Sequence, residues 1–218
     1  MTPRATPSVS MTATRAKPLV WLGWFIVLSS LAYFVIKNVP RYFVFTPESY
    51  GSYFWAKASW LFPHVVGGVL AAVLGPLQLW PRIRRDYLPF HRVAGRVYVV
   101  AVLVGSIASV GMALKVGADE AAYAYGLVGL AVAWVLTTGM AFVAIRRKNV
   151  TLHKQWMIRS YVVTFAFVSF RLTSDLMKAG NILSDHERST LLAWACWAVP
   201  LLFAEVLLQA GAVFKTRT

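Results

Sequence analysis

Cysteine is nearly missing: Cys196 is the one cysteine in 218 residues. It supports neither an intrachain disulfide nor a thiolate metal site, and a lone cysteine inside an apolar run acts as a small hydrophobe. Charge is scarce as well. Asp, Glu, Lys and Arg make up 14% of the chain, against roughly 25% in an ordinary soluble domain. That is too little to clothe a water-soluble protein of this size. Acids are the scarcer sign, eight against 22 Lys and Arg, for a net charge of +14. Also missing are a Gly-rich phosphate loop after a strand, a Ser/His/Asp set and a carboxylate pair on one helix face. Those absences exclude hydrolases and nucleotide-driven pumps.

Apolar residues, by contrast, make up 58% of the chain. They fall into runs of about 18 to 26, enough at 1.5 Å per residue to cross a hydrocarbon core about 30 Å thick. The expected spans are 19–37, 61–80, 89–114, 122–145, 154–178 and 188–213. Pro89 falls in a first helical turn, where a missing N–H costs nothing, and Pro200 is expected to bend the last span. Residues 1–17, rich in Thr, Ser and Pro, are expected to be a disordered tail. No small-x-small site follows the first apolar run, so an uncleaved span is expected rather than a secretion signal. Residues 38–60 mix Tyr42, Phe43, Phe45, Tyr50, Tyr53, Phe54, Trp55 and Trp60 with polar groups. That composition suits an aromatic belt at the headgroup level, as a loop and a short surface helix, with a substrate-covering lid as the alternative.

The basic residues cluster between the apolar runs, as orientation signals do, and are not interleaved with aromatics on a soluble face. Nucleic acid is therefore not the expected partner; the lipid bilayer is. The tail, 81–92, 146–154 and the C-terminal end hold 13 Lys and Arg, whereas the alternate segments hold six of them and six of the eight acids. Both termini are accordingly expected in the cytoplasm. Small residues recur every fourth position: Gly67, Ala71 and Gly75; Ala101, Gly105 and Ser109; Gly129, Ala133 and Thr137. In lipid such rows mark helix faces that approach closely.

Chemistry is expected at the polar residues inside or beside the spans. His91 and His153 begin the third and fifth spans on the cytoplasmic side, and His64 and His186 begin the second and sixth on the other. At about 100° per residue, Tyr98 falls on the His91 side of its helix, while His153, Met157, Ser160, Thr164 and Arg171 form one stripe that must face the bundle interior. Asp175 lies one turn beyond Arg171 and is expected to pair with it. Arg96, Arg159 and Glu205 lie at similar depth on the cytoplasmic half, so Glu205 is expected opposite one of the two arginines. Two neutral imidazoles at one depth suit the two faces of a b-type haem, with His91 and His153 as ligands and Arg96, Arg159, Arg92 or Lys154 for the propionates. His64 and His186 are candidates for a second such site. Interfacial histidines bonded to backbone or lipid phosphate are the plainer alternative, and no metal beyond haem iron is expected.

Pro63-His64, Gly75-Pro76-Leu77-Gln78, His91-Arg92…Gly95-Arg96-Val97-Tyr98 and His153…Trp156-Met157-Ile158-Arg159-Ser160-Tyr161 resemble a bacterial membrane family, domain of unknown function 2306, over roughly 60–180. The tail and the sixth span fall outside that resemblance. It implies a multi-span bundle in the bacterial cytoplasmic membrane and singles out His64, His91, His153 and Arg159; it implies no reaction. The expected fold is all-α: a polytopic transmembrane bundle of about six helices, both termini cytoplasmic, with 18–218 as one domain. Three functions are expected to compete: a haem b electron-transfer protein, and thus a membrane oxidoreductase if it is an enzyme at all; a small or proton-coupled carrier using Glu205, Arg159, Arg171 and Asp175; and a non-catalytic scaffold bound to a membrane-protein partner or to a second copy.

Overall fold

The computed structural model describes residues 12–215, with side chains over 18–210. Of the expected tail at 1–17, residues 1–11 lie outside the described residues. Helix α1 (Thr12–Asn38) is followed by a 3-10 turn at Pro40–Phe43 and two one-turn helices, α2 (Pro47–Tyr50) and α3 (Ser52–Trp55). Then come α4 (Ala58–Leu79), α5 (Pro81–Asp86), α6 (Leu88–Ala113), α7 (Ala121–Arg146), α8 (Val150–Thr164), α9 (Ala166–Ala179) and α10 (Asp185–Lys215). Five of these, α1, α4, α6, α7 and α10, are long and apolar enough to cross a membrane. The expected fifth span, 154–178, is formed by α8 followed by α9, neither of which is among these five.

The fifth span was expected to be continuous and is interrupted at Phe165. No glycine or proline causes the break. The Thr164 hydroxyl bonds back to Ser160 O at 2.8 Å, and Phe165 O accepts from both Val168 N and Ser169 N at 3.0 Å. The Ser169 hydroxyl adds a third bond to that carbonyl at 3.2 Å. Hydroxyls that bond back to the preceding turn tighten and bend a helix. Proline alone does not break a helix here: α4 runs through Pro63 and Pro76, and α10 through Pro200.

Small residues set the closest approach in the bundle. A Cβ on Gly67 would lie 2.6 Å from Ala101 O and 2.9 Å from Gly105 N, both backbone atoms of α6. Ala71 and Ala101 are buried at the same seam. One turn further, Gly75 makes room for the Tyr161 ring, and Gly105 for Trp134, whose ring lies 3.0 Å from the Cβ position. Such contacts replace the hydrophobic drive that helices lack inside lipid. Helix α1 is the outlying member. Leu31, Phe34 and Val35 pack on Ala72, Val168 and Leu172, while Leu19, Trp21, Phe25 and Ile36 stand exposed to the surrounding lipid.

Residues 39–57 form an aromatic cap at the end of the bundle that lacks the arginine clusters. Tyr42 and Tyr50 meet edge to face at 5.4 Å, and both sit in a small core with Ala58 and Leu61. The Tyr50 hydroxyl donates to Tyr42 O at 2.8 Å. Gly51, at φ +73°, makes the turn between α2 and α3 in a backbone region that favours glycine.

Gly67→Ala should destabilise the detergent-solubilised protein by about 1–3 kcal/mol, since the clash is with backbone that cannot rotate away. Gly139→Ala, where nothing lies within 4 Å of the new Cβ, should be neutral or slightly stabilising. Thermal unfolding of both variants in one detergent checks the contrast.

Candidate functional site

Three polar layers lie along the bundle. The layer at the basic end begins with Gln78, buried in the last turn of α4. With its amide oriented to suit its neighbours, Gln78 donates to His91 Nδ1 at 3.0 Å and accepts from Gly95 N at 3.3 Å. Gly95 has no side chain because the Gln78 amide occupies that space, 3.1 Å from where a Cβ would stand. His153 donates from Nδ1 to Ala141 O at 2.9 Å, which leaves Nε2 as its lone-pair nitrogen. The two imidazoles lie within electrostatic reach of each other. Arg159 is buried, stacked 4.7 Å from the Trp156 ring, and its Nε and Nη2 reach Glu205 Oε2 at 2.7 and 2.6 Å. Glu205 Oε1 accepts from Gln209 at 2.7 Å. Arg96 is exposed and takes no part.

The middle layer is a closed hydrogen-bond network. The Tyr98 hydroxyl bonds Ser160 Oγ at 2.8 Å and Thr164 Oγ1 at 2.7 Å. Trp134 Nε1 donates to Thr164 Oγ1 at 2.8 Å, and Thr138 Oγ1 bonds Ser160 Oγ at 2.7 Å. All five side chains are 2% exposed or less. Helices α6, α7 and α8 are tied together here, and Met157, Val102 and Val163 pack round the network.

This packing bears on the haem expectation. Nδ1 of His91 is held by Gln78 and Nδ1 of His153 by Ala141 O, as in the plainer alternative of histidines bonded to protein groups, and Tyr98, on the same face of α6, is taken up by Ser160 and Thr164 of α8. A second pair does not form. His64 is half-buried and donates from Nδ1 to Gly105 O at 2.9 Å, whereas His186 is exposed in the first turn of α10.

The third layer surrounds a cavity of about 180 Å³ at the aromatic-capped end. Its walls come from α1, the 39–57 cap, α4, α6, α7, α9 and α10. Its polar members are Asn38, Lys57, His64, Ser109, Tyr123 and Arg171, and Cys196 also lines it. It extends down to Val69, Leu130 and Ala166, residues near the middle of their crossings, and the hydrogen-bonded network lies just below. Among the described residues no Asp or Glu lines it.

Lys57 is only 8% exposed. Its ammonium lies 3.7 Å from the Tyr53 ring centroid; among the described residues it has no carboxylate within 4 Å and donates no hydrogen bond. Arg171 is likewise without a carboxylate among those residues. Its expected partner, Asp175, instead meets Lys37 at 3.5 Å, because α1 packs along α9 and brings Lys37 to that turn.

Over residues 61–208 the chain matches the family model described as Predicted membrane protein (DUF2306). The chain belongs to that family. The match extends through most of α10, so the sixth span lies inside the DUF2306 region and not beyond it, as the shorter resemblance implied. No curated protein and no solved structure matches the chain. The motif residues of this DUF2306 protein divide among the layers: His91, Gln78, His153 and Arg159 in the first, Tyr98 and Ser160 in the second, His64 in the third. Lys57, Trp134, Thr138 and Tyr123 are site residues that spacing did not single out. Lys57 was one of the six cations of the alternate segments, and no spacing marked Trp134 within its apolar run.

Two outcomes test the energetics. Glu205→Leu should destabilise more than the double change Arg159→Met with Glu205→Leu, because the single change strands a buried guanidinium; chemical unfolding in micelles measures both. Tyr98→Phe should cost about 1 kcal/mol, seen in the same unfolding curves.

Proposed function

We propose that this DUF2306 protein is a small carrier of a bacterial cytoplasmic membrane. Its basic end faces the cytoplasm, and the cavity at the opposite end receives the cargo. The observation that carries the proposal is that this cavity runs to Val69, Leu130 and Ala166 at the middle of the bundle, where its wall residue Phe167 packs on Trp134 of the hydrogen-bonded network. A deep, one-sided cavity closed by a satisfied polar layer is what one state of an alternating-access protein requires.

Two further features support the reading. The α8–α9 crossing is interrupted at Phe165, beside the cavity floor, and interrupted crossings are where carriers expose backbone to cargo. Below the closed layer, Thr137, Trp156, Trp197, Leu201 and the Arg159–Glu205 pair line a second, shallower recess. This recess is the natural opening of the inward-facing state. A scaffold needs neither recess.

Single cysteines on a Cys196→Ala background test the proposal. Ser109→Cys, in the cavity, should react with a membrane-impermeant maleimide from the outer face of right-side-out vesicles and, more slowly, from the inner face of inverted ones. Leu114→Cys, 80% exposed at the capped end, marks the outer side and should react from that side alone. Labelling of Ser109→Cys from one face only, however long the exposure, would rule out alternating access.

A further inference from the structure

We infer that the cavity beneath the aromatic cap binds a small organic monoanion, a carboxylate carried on an apolar body about the size of a benzene ring. This names the cargo class of the carrier proposed above and rests on that reading for its role, though not for the binding itself.

Charge comes first. Lys57 and Arg171 line the cavity, and among the described residues no Asp or Glu does. Elsewhere the buried cations find acids or carbonyls: Arg159 has Glu205, and Arg188 has Asp185 and Leu183 O. Lys57 is as buried as these and has only the face of Tyr53. A ring face offsets part of the desolvation cost of an ammonium but accepts no hydrogen bond along its three N–H directions. The ammonium borders the cavity, so the acceptor that the protein does not supply has to come from what fills that cavity, water or a bound anion. The nearby carboxylate of Glu120 is held at the rim, where it accepts from the Tyr53 hydroxyl at 3.3 Å.

Size and shape follow from the walls. A cavity of about 150 Å³ accommodates benzene, and this one is about 180 Å³, room for a ring and a carboxylate but not for a long acyl chain. Phe167, Phe170, Met112 and Leu127 supply an apolar wall. Phe167 is itself fixed between the His64 ring at 4.9 Å and the Trp134 ring at 5.1 Å. Apolar walls with a few convergent polar groups are the usual design of a small-ligand site. Here both charged groups, Lys57 and Arg171, are cationic, so an inorganic cation or an amine is disfavoured. A bare inorganic anion would leave the aromatic wall without a partner.

The test uses the full chain in nanodiscs of zwitterionic lipid, with benzoate as the probe and benzyl alcohol, benzylamine and inorganic phosphate as its counterparts. Benzoate should raise the thermal midpoint saturably. Each counterpart should do so weakly or not at all at the same concentration. Lys57→Met should weaken benzoate binding by about tenfold or more, the worth of one charge-assisted hydrogen bond, and Lys57→Arg should retain most of it. Equal stabilisation by benzyl alcohol, or by phosphate, overturns the assignment, as does no stabilisation by benzoate. Unchanged benzoate affinity in Lys57→Met also overturns it. Should Lys57→Met fail to fold, the four-ligand comparison on the unaltered protein still decides. Benzoate binding with one-sided labelling of Ser109→Cys keeps the site and removes the carrier; two-sided labelling without benzoate binding does the reverse.

Discussion

One hydroxyl group organises the centre of this bundle. Thr164 Oγ1 accepts from Trp134 of α7, bonds the Tyr98 hydroxyl of α6, and bonds back to Ser160 O within its own helix. In hydrocarbon an unpaired hydroxyl or indole N–H costs several kcal/mol by order of magnitude, so each of these groups holds the others in place. The same bond to Ser160 O tightens the turn where α8 gives way to α9. The network therefore fixes three helices, closes the interior, and sets the direction of the half-helix that brings Phe167, Phe170 and Arg171 to the cavity. The glycine seam between α4 and α6 serves the same end from the other side. Only with Gly67 against Ala101 and Gly105 does α6 come close enough for His64 to reach Gly105 O.

Charge is treated differently at the two ends. At the basic end the one deeply buried guanidinium, Arg159, is neutralised by Glu205 and covered by Trp156, so that its burial is a settled structural matter apart from one Nη atom that has no partner. At the capped end four of the six acids are occupied, Asp175 by Lys37, Asp185 by Arg188, Glu187 by Ser184, and Glu120 by Tyr53, and neither Glu48 nor Asp119 lines the cavity. The cations that face the cavity are left without one. An excess of positive charge around an enclosed volume raises the local concentration of anions and stabilises them once they are desolvated.

Much of the architecture was legible in the sequence because lipid imposes it. Run length gave the five helices that are long and apolar enough to cross a membrane. Rows such as Gly67, Ala71 and Gly75 gave the faces that approach one another. The need to neutralise charge in hydrocarbon pointed from Glu205 to the two arginines at its depth, and the structure selects Arg159, leaving Arg96 exposed. What spacing did not reveal depends on tertiary neighbours. The break at Phe165 has no glycine or proline to announce it, since it arises from the Thr164 and Ser169 hydroxyls, which bond back to the preceding turn and are held by Trp134, Tyr98 and Cys196 of other helices. Histidines at matching depth suggested a macrocycle, but a helical wheel does not show that Gln78 and Ala141 O hold their Nδ1 atoms. Lys57 escaped notice for a related reason: only the folded cap carries it from the interface to a buried wall.

The placement of the cap connects these points. A segment serving only as an aromatic belt would present its rings to the headgroups along its whole length. Here the segment is two-sided: Phe43, Phe45 and Tyr53 stay largely exposed, while Tyr42 and Tyr50 are buried. Tyr42, Tyr53, Phe54 and Lys57 line the cavity beneath it. Belt and lid are thus the two faces of one segment. Its short helices are joined at Gly51, where the positive φ removes the steric limit that would stiffen the turn. The cap is built onto the bundle: Tyr42 and Tyr50 share their core with Ala58, Leu61 and Val65 of α4 and Met112 of α6. Because Lys57 is on the cap while Arg171 is on the half-helix beneath it, an anion held between them would join the two.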